Sequence, residues 1–151
     1  MVEWGILAVV VLVLGGALAQ HGVDIRGQGE RAAVLSTLGA MRTSLVIDHL
    51  QRASQSAAAG KTTASANPFL TLQYLPPNYR GEMAVLQALE APPGSWMFDP
   101  QSLSIGYMPQ DPQWFDANTG TRILWFRTDL SPGPRALIPL APYVWRGVLV
   151  N

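Results

Sequence analysis

From Trp4 to Val23 the chain runs for twenty residues without a formal charge, and from Ile6 to Leu14 every residue is Ile, Leu, Ala or Val. A helix of that length rises about 30 Å, the thickness of one hydrocarbon core. Glu3 and Trp4 stand at one end of the run and His21, Asp24 and Arg26 at the other, where polar groups and an indole meet headgroups. Residues 1–23 are therefore expected to form a transmembrane anchor. A cleaved secretory signal is the competing reading, because Ala17-Leu18-Ala19 before Gln20 has the small-x-small form of a signal-peptidase site. Against it, the residues before Trp4 include Glu3 and neither Lys nor Arg. A buried core helix is the third reading, in a chain with little interior to surround so many apolar residues. Arg26 and Arg31 follow the run while nothing basic precedes it, which by charge counting favours a cytoplasmic C-terminus.

The chain beyond the anchor is long enough for one compact domain and too short for two. Ten basic residues balance ten acidic ones, and the basic ones are scattered singly. Phosphate binding needs a concentrated basic stripe, so nucleic acid is not expected as a partner. The chain has no cysteine, which removes disulfides and thiolate zinc sites.

Gly27 and Gly29 are expected to loosen the chain before Glu30, with helix resuming from Arg31 and ending near Gln55. Val34, Leu38, Met41 and Leu45 recur at spacings of four, three and four. They form one apolar stripe, widened by Leu35, Val46 and Leu50, with Arg31, Arg42, Asp48 and Arg52 mostly off it. Residues 24–55 are thus an amphipathic helix that continues from the anchor into the domain beyond it, which the resemblance described below implies is exported. The small polar stretch 53–67 reads as a frayed end and a loop, and 56–151 as the globular part. There, Asn67-Pro68 closes the loop, Phe69 to Tyr74 is a short apolar segment, Pro76-Pro77-Asn78 is a turn, and Gly81 to Ala91 holds a helical turn or two.

The last third carries the strand signal. Ser95 to Phe98 and the alternating Leu103, Ile105 and Tyr107 flank Asp99-Pro100-Gln101-Ser102, with Pro where a type I turn favours it. They read as a hairpin. Thr121 to Leu130, opened by Asn118-Thr119-Gly120, and Tyr143 to Val150 are a third and a fourth strand. Pro-rich stretches at 109–112 and 132–142 separate them. Strands in succession without long helices between them predict an antiparallel sheet, and the helix at 31–52 is the one element long enough to cover its apolar face. The expected fold is α+β, a long N-terminal helix on a roughly four-stranded antiparallel meander.

Asn67-Pro68, the stretch Leu75-Pro76-Pro77-Asn78-Tyr79-Arg80-Gly81-Glu82, the stretch Pro93-Gly94-Ser95-Trp96-Met97-Phe98-Asp99-Pro100, Leu103, Tyr107 and Ile123-Leu124-Trp125-Phe126-Arg127 together resemble pilin-like and pseudopilin-like proteins. These belong to the type IV pilus and type II secretion systems of Gram-negative bacteria. Among them the chain is most similar to accessory biogenesis proteins of mannose-sensitive haemagglutinin pili. The resemblance implies a non-enzymatic structural or accessory component of pilus or pseudopilus assembly. It also implies a single-pass inner-membrane protein whose C-terminal domain lies in the periplasm, possible incorporation into the fibre, and a link to cell adhesion and protein transport. Implied partners are other pilin-like subunits, inner-membrane assembly proteins and, within a fibre, further copies of the chain. A processed pilin has a basic leader ending in Gly, then an aromatic residue, and Glu at the fifth mature position. Here Ile6 follows Gly5, the fifth residue after it is Val10, and Glu3 lies at another offset. This departure points to an uncleaved accessory or minor component.

Subunit packing is expected to involve Glu3, which needs a partner amine if it enters hydrocarbon. It is also expected to involve Gly15 and Gly16 beside Ala17 and Ala19, the stripe residue Leu38, and Trp114 in its Pro- and Asp-rich loop. Beyond Trp4 and Trp114, the tryptophans Trp96, Trp125 and Trp145 read as core. No catalytic, cofactor or metal residues are expected. His21 and His49 cannot be combined into a spaced metal set, Asp48 and His49 point about 100° apart on a helix, no G-x-S-x-G elbow occurs, and Gly27-Gln28-Gly29 lacks a preceding strand. The alternative function is an exported ligand- or carbohydrate-binding module with a cleaved signal, using an exposed indole at Trp114.

Overall fold

The computed structural model describes residues 2–55, 67–117, 120–129 and 136–150, with the side chains of 2–4, 6–8, 17–21, 23–24, 55 and 117 outside the description. The chain divides into two units, Met1–Ala33 and Val34–Asn151. Helix α1, Val2–Gln55, belongs to both.

In the first unit α1 is unbroken through Gly27 and Gly29, where the sequence suggested a loosened chain. Each helical glycine costs about 1 kcal/mol relative to alanine, which the surrounding helix-forming residues outweigh. Val9 to Leu14 are exposed, Leu12 at 75%. Among the described residues no helix is long and apolar enough to cross a membrane. The helix expected at 1–23 is present from Val2, but its side chains are described only at Gly5, 9–16 and Gly22, so many of the side chains of the expected anchor lie outside the description.

The second unit is α+β with two sheets where one antiparallel meander was expected. A five-stranded mixed sheet has the order β1-β2-β3-β5-β6, formed by β1 (Tyr79–Glu82), β2 (Trp96–Asp99), β3 (Ser104–Tyr107), β5 (Leu124–Thr128) and β6 (Leu137–Pro139). A three-stranded sheet, β4-β7-β8, joins Phe115–Ala117, Tyr143–Trp145 and Val148–Val150. β1 runs parallel to β2, and parallel neighbours need a crossover. That crossover holds the short helix α2, Val85–Ala88. The remaining pairings are antiparallel. The fourth predicted strand is in fact a hairpin. Arg146 and Gly147 both have positive φ, 49° and 77°, the backbone of a two-residue type I′ turn, and they fold β8 back onto β7.

Period-two alternation decides which residues face which layer. Trp96 and Phe98, Ile105 and Tyr107, Leu124 and Phe126 join the α1 stripe Val34, Leu38, Met41 and Leu45 in the main core, together with Phe69, Tyr143 and Trp145. The intervening Met97 and Trp125 form a second core with Ala88, Met108 and Ile123. Both faces of the central strands are therefore buried, where the sequence predicted a half-buried sheet. Gly106 sits between them for want of space, since a Cβ there would lie 2.8 Å from Trp125 Cζ3 and 2.9 Å from Met97 Cγ.

The loops are closed by side chains. Asn67 Oδ1 accepts the Phe69 N–H at 3.0 Å and Asp111 Oδ1 accepts that of Gln113 at 2.9 Å, each capping a 3-10 turn that begins with Pro. Asp99 accepts the N–H groups of Gln101 and Ser102, which fixes the hairpin turn expected there. It closes through Leu103 at φ 53°, so Leu103 lies in the turn and not in the strand. The loop expected across 53–67 and the turn at 118–119 fall mostly outside the described residues.

Tyr143 completes the central sheet where β6 ends, since its hydroxyl accepts the N–H of Trp125 at 2.9 Å. Tyr143→Phe leaves that N–H buried without a partner, and we expect a loss of about 1–3 kcal/mol in urea unfolding of the full chain in detergent. Burial pushes the Tyr143 phenol above its ordinary 10.0, offset in part by the Trp125 bond. A raised folded-state value gives stability that is complete below pH 10.0 and declines as pH climbs through the raised value. The phenylalanine variant should therefore show a shallower alkaline decline than the parent.

Candidate functional site

Over residues 34–54, helix α1 has its charges on an unexpected side. Taking 100° per residue, the charged Arg42, Asp48 and Arg52, and with them the imidazole of His49, all fall within about 70° of the midline of the buried stripe. All four are half-buried. The exposed positions lie roughly 90° or more from that midline, and from Ser36 to Ser54 none carries a charge. Gly39, Ala40, Thr43, Ile47 and Leu50 lie on this face, with Val46 towards its edge. An ordinary surface helix places its charges there, opposite the core.

Two features make the face less polar still. Thr43 Oγ1 donates back to the Gly39 carbonyl at 3.0 Å and Ser54 Oγ to that of Gln51 at 2.7 Å, so both hydroxyls are engaged within the helix. A Cβ at Gly39 would meet nothing within 4 Å, which leaves the backbone open to close approach. Val46, Ile47 and Leu50 are 39%, 49% and 61% exposed. The sequence showed Val46 and Leu50 only as wings of the packing stripe, because their separation from it emerges once burial is known residue by residue.

The other residues expected to pack between subunits are placed differently. Leu38 is fully buried in the chain's own core and offers a partner no surface. Trp114 is half-buried and packs against that same core, which corrects its reading as the exposed indole. The Arg146 N–H donates to the Trp114 carbonyl at 2.8 Å, tying the loop to the β7–β8 turn. Gly15 and Gly16 are exposed, and a Cβ added at either would meet nothing within 4 Å. The side chain of Glu3 lies outside the described residues.

Polar clusters in the second unit serve structure. Asp48 pairs with Arg52 one turn along the helix and not with His49. Asn67 Nδ2 donates to Tyr79 Oη and to Glu82 Oε1, both at 2.9 Å, bracing the long loop against β1. Burial raises the Tyr79 phenol, the Asn67 bond lowers it and the Glu82 charge raises it again. A hollow of about 430 Å³ beside β5 is lined by Leu103, Ile138 and Leu140 with Ser102, Arg127 and Asp129 at hand, and Ser102 Oγ donates to Asp99 at 2.6 Å. Among the described residues no group of three or more His, Cys, Asp or Glu is arranged to hold a metal ion.

No protein-family model matches the chain, and neither does any curated protein or solved structure. The exposed, uncharged face of α1 is the surface that the geometry singles out.

Proposed function

We propose that the chain is a non-enzymatic, membrane-anchored component of a type IV pilus or type II secretion pseudopilus, acting by helix packing with other pilin-like subunits. One observation carries the reading: between residues 34 and 54 the core-facing side of α1 bears the charges and the outward side bears none. A free surface helix gains solubility from outward charge, whereas a helix that packs against another helix needs small and apolar residues there. The charge-free run at 4–23 supplies the anchor and the periplasmic domain follows from it. Small residues at Gly15 and Gly16 permit close approach of a second helix within the membrane, and the face from Gly39 to Leu50 extends the packing outside it.

The test is a double substitution on that face. Ile47→Glu with Leu50→Glu alters two exposed positions, so stability should change by no more than about 0.5 kcal/mol per site. Recovery of pilin-like subunits with the purified full chain should fall about tenfold or more, because each carboxylate would have to be desolvated in the helix contact. Wild-type recovery with the double variant would sink the proposal.

A further inference from the structure

The edges of the two sheets are not equally protected. At β6, Pro139 has no N–H to offer and the Leu137 carbonyl is taken by Arg42 Nη2 at 3.4 Å. At β1 the register shifts around Gly81, whose φ is 95°, a bulge that bends an edge away from a neighbour. β4 carries Asp116, a charge that disfavours an added strand. β8 has none of these devices, its residues being Val148, Leu149 and Val150.

Register shows which groups on β8 point away from β7. In a two-residue hairpin the closing pair is hydrogen-bonded, and bonded and non-bonded pairs alternate along an antiparallel ladder. Trp145↔Val148 closes the turn, followed by Val144↔Leu149 and Tyr143↔Val150. Leu149 therefore turns its N–H and C=O away from β7, and Arg146 N–H bonding to the Trp114 carbonyl on the far side of β7 agrees with this phase. Val148 and Leu149 are also 47% and 49% exposed.

We propose that β8 is a docking edge for a second copy of this chain, paired antiparallel about Leu149. A two-fold axis at Leu149 makes the contact self-complementary and closed. The two Leu149 residues exchange both main-chain hydrogen bonds, and Val148 of each copy lies beside Val150 of the other. The pairing thus covers both exposed apolar side chains of the strand and satisfies its outward-pointing backbone groups. Two three-stranded sheets become one of six. With ten basic and ten acidic residues, two copies carry no net charge to hold them apart. The inference is independent of the helix-face reading.

The absence of cysteine makes the test site-specific. Full-length chain in detergent carrying Leu149→Cys, under mild oxidation, should give about tenfold or more disulfide-linked dimer than chain carrying Glu90→Cys, since pairing holds the two thiols at high effective concentration. Glu90 is exposed and follows α2, whose Ala88 packs in the second core and not in the core that Val150 joins, so it reports chance encounters, including those brought about by the anchor. Circular dichroism of both variants confirms that each is folded. Equal dimer yield from the two positions overturns the proposal, and leaves the helix-face reading untouched.

Discussion

Leu38→Asp is expected to abolish the fold of residues 34–151 in the full-length protein. Leu38 is fully buried among Val34, Met41, Leu45 and the aromatic residues of the five-stranded sheet. A carboxylate placed there has no partner and costs several kcal/mol, on the scale of a small domain's whole stability. Near-ultraviolet circular dichroism should lose its tryptophan signal and limited proteolysis should cut throughout the sheet. Leu38→Ala, by comparison, should cost about 2–5 kcal/mol and leave a weakened fold. A Leu38→Asp protein with native spectra would mean that the stripe faces water.

Gly106→Val should cost about 3 kcal/mol, and Gly106→Ala about 2 kcal/mol, at the upper part of the range for overpacking a filled core. The cause is steric, since the new Cβ would stand within 2.9 Å of Met97 Cγ and of the Trp125 ring. Urea unfolding followed by tryptophan fluorescence measures the loss. In a Met97→Ala background the penalty of Gly106→Ala should shrink, because one of the two obstructing side chains is gone and neighbouring substitutions couple. An unchanged penalty in that background would assign the clash to Trp125 alone. A neutral Gly106→Ala would contradict the second core.

The sequence made the main axis of the fold readable through particular residues. Spacings of four, three and four among Val34, Leu38, Met41 and Leu45 located the packing stripe, and all four are buried. Asp99-Pro100 announced the β2–β3 turn because both residues act locally. The strands it missed lack periodic apolar residues. Tyr79-Arg80-Gly81-Glu82 owes its place in the sheet to parallel pairing with β2, a long-range contact with no local signature. The β7–β8 turn escaped notice because Arg146-Gly147 is not the Asn-Gly or Asp-Gly pair that such a turn favours. The second core was hidden for the same kind of reason, as Met97 and Trp125 meet Ala88 only after the crossover is built. The candidate site was half legible. Its apolar and small residues were in view, but charges lying beside the buried stripe become unusual only when the burial of each residue is known.

The central claim is that the uncharged outward face of α1 contacts other pilin-like helices, and site-specific photo-crosslinking tests it most directly. A photoreactive residue in place of Thr43, at the middle of the face, should yield adducts with pilin-like subunits in intact cells, identified by mass spectrometry. The same residue in place of the exposed Glu90 on the sheet domain should yield few. Adducts from position 43 that map to helices of those subunits are the predicted result. No adduct at 43, or equal labelling from 43 and 90, would contradict it.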